Sequence, residues 1–308
     1  LWTSAVDYRD DIRISDEILA RLVEAYRRIR NTCRFILGNL SDFDPAANDV
    51  APAAMLPLDR YALDTAAREL ARMDEAYAAY EFHKVFHALH NLCVTDLSAF
   101  YRDILKDRLY VSGTDSVERR SAQAALWRIL LVLMRQMAPI LSFTAEEVFR
   151  HTPACQRGDG ASVFMLPPLD AASWVLDAAM RERLDLVATL RGEVTRAIGP
   201  KSKPGVIGRA LETAVTLHLP GGVHAAVSSL DMDLREVCIV SKVILAKAAD
   251  APADATPCET VPGAFVGVAR APGDKCGRCW TYSEELGASA GHPDLCPRCA
   301  AVLHAQGL

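Results

Sequence analysis

The chain has 308 residues, 51% of them hydrophobic and 24% charged, with a formal net charge of −5. This mix excludes wholesale disorder, and the length predicts two or three domains. The acidic balance argues against a protein coated in DNA or RNA, yet leaves room for a local basic patch. The longest wholly apolar run is Ile129–Met134, far below the roughly 20 residues that span a bilayer. No signal peptide opens the chain, so we expect a cytoplasmic protein with no membrane partner. Residue 1 is leucine, which leads us to expect a fragment or a processed product. The nine cysteines are odd in number and five of them lie far apart, which predicts reduced thiols and not a disulfide scaffold.

In chain order, Leu19, Leu22, Tyr26, Ile29, Cys33, Ile36 and Leu40 recur every three or four residues, which predicts a helix over 16–40. Ser15 is its expected N-cap, and Asp16 and Glu17 suit the first turn. A Pro/Ala/Asp-rich loop runs through Pro57. Residues 58–80 and 81–108 read as one long helix or two consecutive ones. Ser116–Met137 predicts another helix, ended or kinked by Pro139. Thr144 and Glu147 are spaced as a capping box for a shorter one. The result is a helical bundle over 1–155. Residues 156–170, with two glycines and two prolines, read as a linker.

Within 171–249 we expect a small α+β unit: a helix over Trp174–Ile198, a strand at Thr213–Leu219, a short helix at Val223–Leu230 and a strand at Val237–Leu245. A second linker is expected at 250–263, and a zinc-binding module at 264–308. The expected class is mainly α, with a helical bundle, the α+β unit and a terminal zinc ribbon.

The zinc expectation rests on spacing. Cys276-Gly-Arg-Cys279 and Cys296-Pro-Arg-Cys299 are separated by 16 residues. Each C-x-x-C turns two sulfurs toward one point, and two such knuckles supply four thiolates for one Zn2+. A closed four-sulfur shell leaves no position for a reactive water, so the metal is expected to be structural. The terminal segment has little apolar content, and zinc binding supplies the ordering energy, on the order of 10–16 kcal/mol in small finger peptides. Arg278 lies inside the first knuckle and Trp280 directly after it. A guanidinium beside an aromatic on a rigid turn suits a nucleobase; packing of Trp280 over the knuckle is the other reading.

On the first helix, Glu17 is placed to pair with Arg21 and Glu24 with Arg28. Arg30 and Arg34 have no carboxylate three or four residues away. An RNA phosphate would satisfy them, as would a buried ion pair with Asp96 or Asp103. His83, His87 and His90 share a helical face, where a core or boundary role outweighs a metal site. Lys201-Ser-Lys203 lacks the glycines of a phosphate-binding loop. No motif of catalysis is visible, and no catalytic residue is assigned.

Several of these stretches together carry a resemblance. Asp11-Ile-Arg-Ile-Ser-Asp-Glu-Ile-Leu19, Tyr26-Arg-Arg-Ile-Arg-Asn-Thr-Cys-Arg-Phe35, Phe82-His-Lys84, Asp96-Leu-Ser98, Lys106-Asp-Arg-Leu-Tyr110 and Ala138-Pro-Ile-Leu-Ser-Phe-Thr-Ala-Glu-Glu147 appear in this order. With Cys276-Gly-Arg-Cys-Trp280, Cys296 and Cys299, the chain resembles the C-terminal part of bacterial-type isoleucyl-tRNA synthetases. The resemblance implies a helical anticodon-binding domain and a zinc module, acting on isoleucine-accepting tRNA. The whole enzyme would join isoleucine to tRNA with ATP, as a monomer. This chain carries neither signature of the family's ATP-using catalytic domain, nor its editing domain, and is expected to be inactive alone. By carry-over, Arg278 and Trp280 contact anticodon nucleotides, and Arg30 and Arg34 lie toward the tRNA. The alternatives are the same region of a valine or methionine enzyme, a DNA-repair glycosylase with a similar terminal zinc ribbon, or a freestanding tRNA-binding zinc protein. The glycosylase would need an N-terminal proline, and this chain begins Leu1-Trp2.

Overall fold

The computed structural model describes residues 1–201 and 207–307, so Ser202 and Lys203 of the Lys-Ser-Lys stretch lie outside the described residues. The chain divides into two compact units, one of Leu1–Leu105 with Thr114–Leu176, the other of Lys106–Gly113 with Asp177–Leu308. No described helix is long and apolar enough to cross a membrane.

The first unit is a helical bundle. Helix α1 (Asp16–Asn39) begins as expected, with the Ser15 side chain accepting from the Ile18 amide, and buries Ala25, Ile29, Cys33 and Ile36. Its Glu17–Arg21 and Glu24–Arg28 pairs form. Helices α2 (Pro57–Ala78) and α3 (Phe82–Asn91) are separate. Tyr80 has φ +58°, and its amide donates to Tyr77 O while that of Glu81 donates to Ala76 O. This is a Schellman ending with tyrosine where glycine is usual, so the break carries no glycine to announce it. After α3 the helix widens to π geometry over Leu92–Tyr101, then continues as α4 (Arg102–Val111), whose residues from Lys106 on belong to the second unit.

Helix α5 (Val117–Met137) is buried along most of its length, the mark of a central helix. It packs against α1, α2 and α6 (Ser142–His151). Its buried polar side chains have partners: Arg128 forms two bonds to Asp49 at 2.7 and 2.8 Å, and Gln123 donates to Asn39 O. Buried Asp59 accepts from Tyr101 and Ser121.

The capping box expected at Thr144 is not formed. The Leu141 amide already donates to Met137 O, so α6 starts at Ser142 and Thr144 lies inside its first turn. There its hydroxyl sits 3.2 Å from that of Tyr26. Residues 156–176, expected in part as a linker, belong to the first unit. Leu176 N, for example, donates to buried Asp64.

In the second unit, α7 (Ala178–Ile198) begins four residues after Trp174, where Asp177 accepts from the Met180 amide. Strand β1 (Thr213–Leu219) matches its expected bounds and alternates buried Val215, Leu217 and Leu219. Helix α8 (Gly221–Ser228) leads toward β2 (Lys242–Lys247), which pairs parallel to β1. The strand expected from Val237 starts late because Asp233 caps a short helix over Leu234–Cys238, and left-handed Ile239 ends it. A short apolar run does not distinguish strand from buried helix by period.

Strands β3 (Thr256–Pro257) and β4 (Phe265–Arg270) complete a sheet of order β2-β1-β4-β3. β4 is antiparallel to β1, so the sheet runs across the boundary expected at 264.

Glu193 of α7 ties this region together. Its buried carboxylate accepts from the amides of Glu259 and Thr260 and from the Thr260 hydroxyl, and pairs with Arg196 at 2.7 Å. Burial pushes its pKa up, but the bonds from Thr260 and Arg196 outweigh that and hold it at about 2, against 4.5 when free. A carboxyl lowered on folding stabilises the native state above its unfolded pKa, and loses that contribution as pH falls through the folded value. Glu193→Gln is therefore expected to cost about 2 kcal/mol at neutral pH. It should also flatten the loss of stability between pH 4.5 and 2. Denaturant unfolding across that range measures both effects, and parallel pH curves for the two proteins would refute the assignment.

Candidate metal centre and nucleic-acid interface

The segment after β4 is built around its cysteines. Strands β5 (Asp274–Lys275) and β6 (Tyr282–Ser283) pair antiparallel, and the first knuckle is the turn between them. The turn is closed by the Cys276 amide to Thr281 O at 2.9 Å and the Trp280 amide to Cys276 O at 3.0 Å. Gly273 precedes it at φ +83°, where a Cβ would run into the Ser283 carbonyl, so both backbone angle and space require glycine. The second knuckle opens helix α9 (Pro297–Ala305), with Cys296 at its N-cap, Pro297 in the first turn, and Cys299 one turn in.

All four cysteines are buried, and their Sγ atoms lie within 4.8 Å of one another. Cys279 and Cys296 are 3.7 Å apart at sulfur. Four thiolates at about 2.3 Å from one zinc stand about 3.8 Å apart, so the set fits a tetrahedral ion. Hydrogen bonding from Cys299 draws the Cys279 thiol well below its ordinary range, and the same bond pushes Cys299 up. The surrounding core is small: Val111 is its other buried member, with Leu286 and Leu295 packed partly against it. The expected ligands are thus brought together, while His83, His87 and His90 are not. Among the described residues the four cysteines are the one group of three or more metal-binding side chains this close. Phe86 stacks on His90 and meets His87 edge-on.

The residues expected to meet RNA fall in different surroundings. Trp280 is 52% exposed. Its φ of +66° is rare for a side chain of this size. The Lys275 ammonium lies 5.1 Å from the centre of its ring. Arg278 turns inward, where Nη1 donates to Val111 O at 2.5 Å and lies 3.8 Å from Cys299 Sγ. Arg298, in the second knuckle, is bonded through both terminal nitrogens to Asp107, one of them at 2.8 Å. The spacing of the knuckles gave no sign of this, because Asp107 and Val111 lie far upstream.

Arg30 and Arg34 are on the exposed face of α1. The buried ion pairs considered for them, with Asp96 or Asp103, are absent. Arg30 instead meets Glu147 at 3.6 Å, both about half exposed, and such a surface contact contributes little. Arg34 has no carboxylate partner among the described residues. Its surface position follows from helical phase, since Cys33 and Ile36 take the buried stripe.

Comparison with known proteins bears on both sites. Residues 59–203 match the family described as the anticodon-binding domain of tRNA ligase, and residues 273–302 match the zinc finger found in FPG and IleRS. The chain is 56% identical over 307 residues to the isoleucine–tRNA ligase of Nitratidesulfovibrio vulgaris strain DP4, covering 100% of this chain and 33% of that protein. It is 55% identical over 304 residues to that of Desulfovibrio desulfuricans, covering 98% of this chain and 32% of the relative. Against the enzyme of Geobacter sulfurreducens it is 44% identical over 305 residues, with the same coverage. The chain spans about a third of the length of these relatives. The four-cysteine geometry and the zinc-finger match together identify a structural Zn2+ site.

Proposed function

The chain belongs to the isoleucine–tRNA ligase family, and from that premise we propose that it recognises the anticodon stem and loop of isoleucine-accepting tRNA. The observation that carries this reading is the exposed Trp280 on the zinc knuckle, in a chain with the anticodon-binding match. An aromatic face held on a rigid turn stacks on an unpaired base, and anticodon loops present such bases. Zinc fixes the turn and takes no part in chemistry. The whole protein of which this sequence is a stretch joins isoleucine to its tRNA with ATP, as a monomer in the cytoplasm. The residues here provide recognition.

Arg34, with Arg30 beside it, supplies phosphate contacts on α1. Among the described residues Arg34 has no carboxylate partner and Arg30 only a long, exposed one, so both are available to an outside anion. Binding of isoleucine tRNA, titrated at several salt concentrations, tests the proposal. Arg34→Ala should weaken binding by a similar factor for any anticodon, and flatten the slope of log affinity against log salt by about 1. An unchanged slope would remove Arg34 from the interface, and absence of tRNA binding by the wild-type chain would overturn the whole reading.

A further inference from the structure

We propose that the two zinc knuckles close together as a clasp on the end of helix α4, so that zinc loading holds Lys106–Gly113 in place as well as the knuckles themselves. The inference stands on the second unit alone and needs no bound RNA. Lys106–Gly113 belongs to that unit although the rest of it begins at Asp177. The two knuckles are built alike. Each carries an arginine just before its second cysteine, Arg278 in the first and Arg298 in the second. Both arginines reach the end of α4. Arg298 donates through both terminal nitrogens to the Asp107 carboxylate, one bond at 2.8 Å. Arg278 Nη1 donates to the Val111 carbonyl at 2.5 Å. Asp107 and Val111 are one helical turn apart and share a face. The Val111 side chain is itself buried in the cluster of the four cysteines.

The helix end is suited to these partners. Its last carbonyls have no donor within the helix, and Arg278 supplies one to Val111, with positive charge where the helix dipole is negative. A carboxylate near the end of a helix meets that dipole unfavourably, and the paired bonds from Arg298 offset this at Asp107. Arg108 pairs with Glu236 of the short helix over Leu234–Cys238 and anchors the middle of the stretch. The clasp closes on either side of that anchor. What aims its two arginines is the metal. β5 and β6 have two residues each, and the sulfurs make up most of the local core. With four thiolates on one ion, the tetrahedron fixes the angle between the knuckles and so the spacing of the two guanidinium groups. The gripped stretch lies within the anticodon-binding match and the knuckles within the zinc-finger match, so the ion fastens one to the other. Linkage makes the effect mutual: zinc favours the grip on α4, and the grip raises zinc affinity by the same factor.

The test follows hydrogen exchange and zinc affinity in the wild-type chain, Asp107→Asn, Arg298→Gln and the double variant. Stripping zinc with a strong chelator is expected to remove the exchange protection of Lys106–Gly113 together with that of the knuckles, while α2 keeps its own. Asp107→Asn should lower zinc affinity, read by competition with a chelator, by at least about fivefold, the low end of coupling between linked sites. Removing a negative charge near the end of a helix favours the helix, so a weaker α4 does not account for that loss. In the Arg298→Gln background the same substitution should cost no further affinity. Undiminished protection of Lys106–Gly113 in the zinc-free chain, or wild-type zinc affinity in Asp107→Asn, overturns the clasp. So does an additive loss in the double variant, which would make the two side chains independent of each other.

Discussion

Removal of zinc is expected to unfold the segment from Gly273 to Gly307. The reason lies in what is buried there. The cluster around the site consists of the four cysteines and Val111, with two half-covered leucines, too little apolar surface to order some 35 residues against their chain entropy. The metal supplies the missing energy, on the order of 10–16 kcal/mol in isolated fingers. Cys296→Ala, or treatment with a strong chelator, should abolish zinc binding and expose β5, β6 and α9 to protease and to rapid hydrogen exchange. The wild-type chain should carry one zinc. The helices of the first unit, whose cores contain no part of the site, should remain protected. A metal-free chain whose last 35 or so residues exchange as slowly as those of the zinc-loaded protein would contradict the structural role.

The second large effect concerns Trp280. Loss of one base stack costs about 1–3 kcal/mol, which is roughly 5- to 150-fold in affinity. Trp280→Ala is expected to weaken binding of isoleucine tRNA within that range and to leave the zinc in place. The exposed side chain contributes little to the core, so folding should be unaffected. Trp280→Phe, which keeps an aromatic face, should recover most of the loss. Unchanged affinity in the zinc-loaded alanine variant would leave Trp280 without a role in recognition.

Much of this was legible in the residues themselves. The stripe of α1, its Ser15 cap and the alternation of β1 follow from local periodicity, and the zinc ligands from two spacings. The rest was hidden for reasons that local periodicity does not carry. Thr144 looked like a cap but serves Tyr26, because the turn from Met137 to Leu141 had already started the helix. Arg278 meets Val111, 167 positions upstream, a contact the knuckle's spacing did not announce. The separation of α2 from α3 was hidden because Tyr80 takes a conformation usually given to glycine. The sheet crossing residue 264 was hidden because β4 pairs with β1, far upstream in the chain.

The most direct test of anticodon recognition compares the affinity of the wild-type, zinc-loaded chain for isoleucine tRNA with that for the same tRNA carrying a different anticodon, at one stated salt concentration. The account predicts markedly tighter binding of the native anticodon, with the two salt slopes alike, because base contacts specify while phosphate contacts only position. Equal affinity for the two would contradict it.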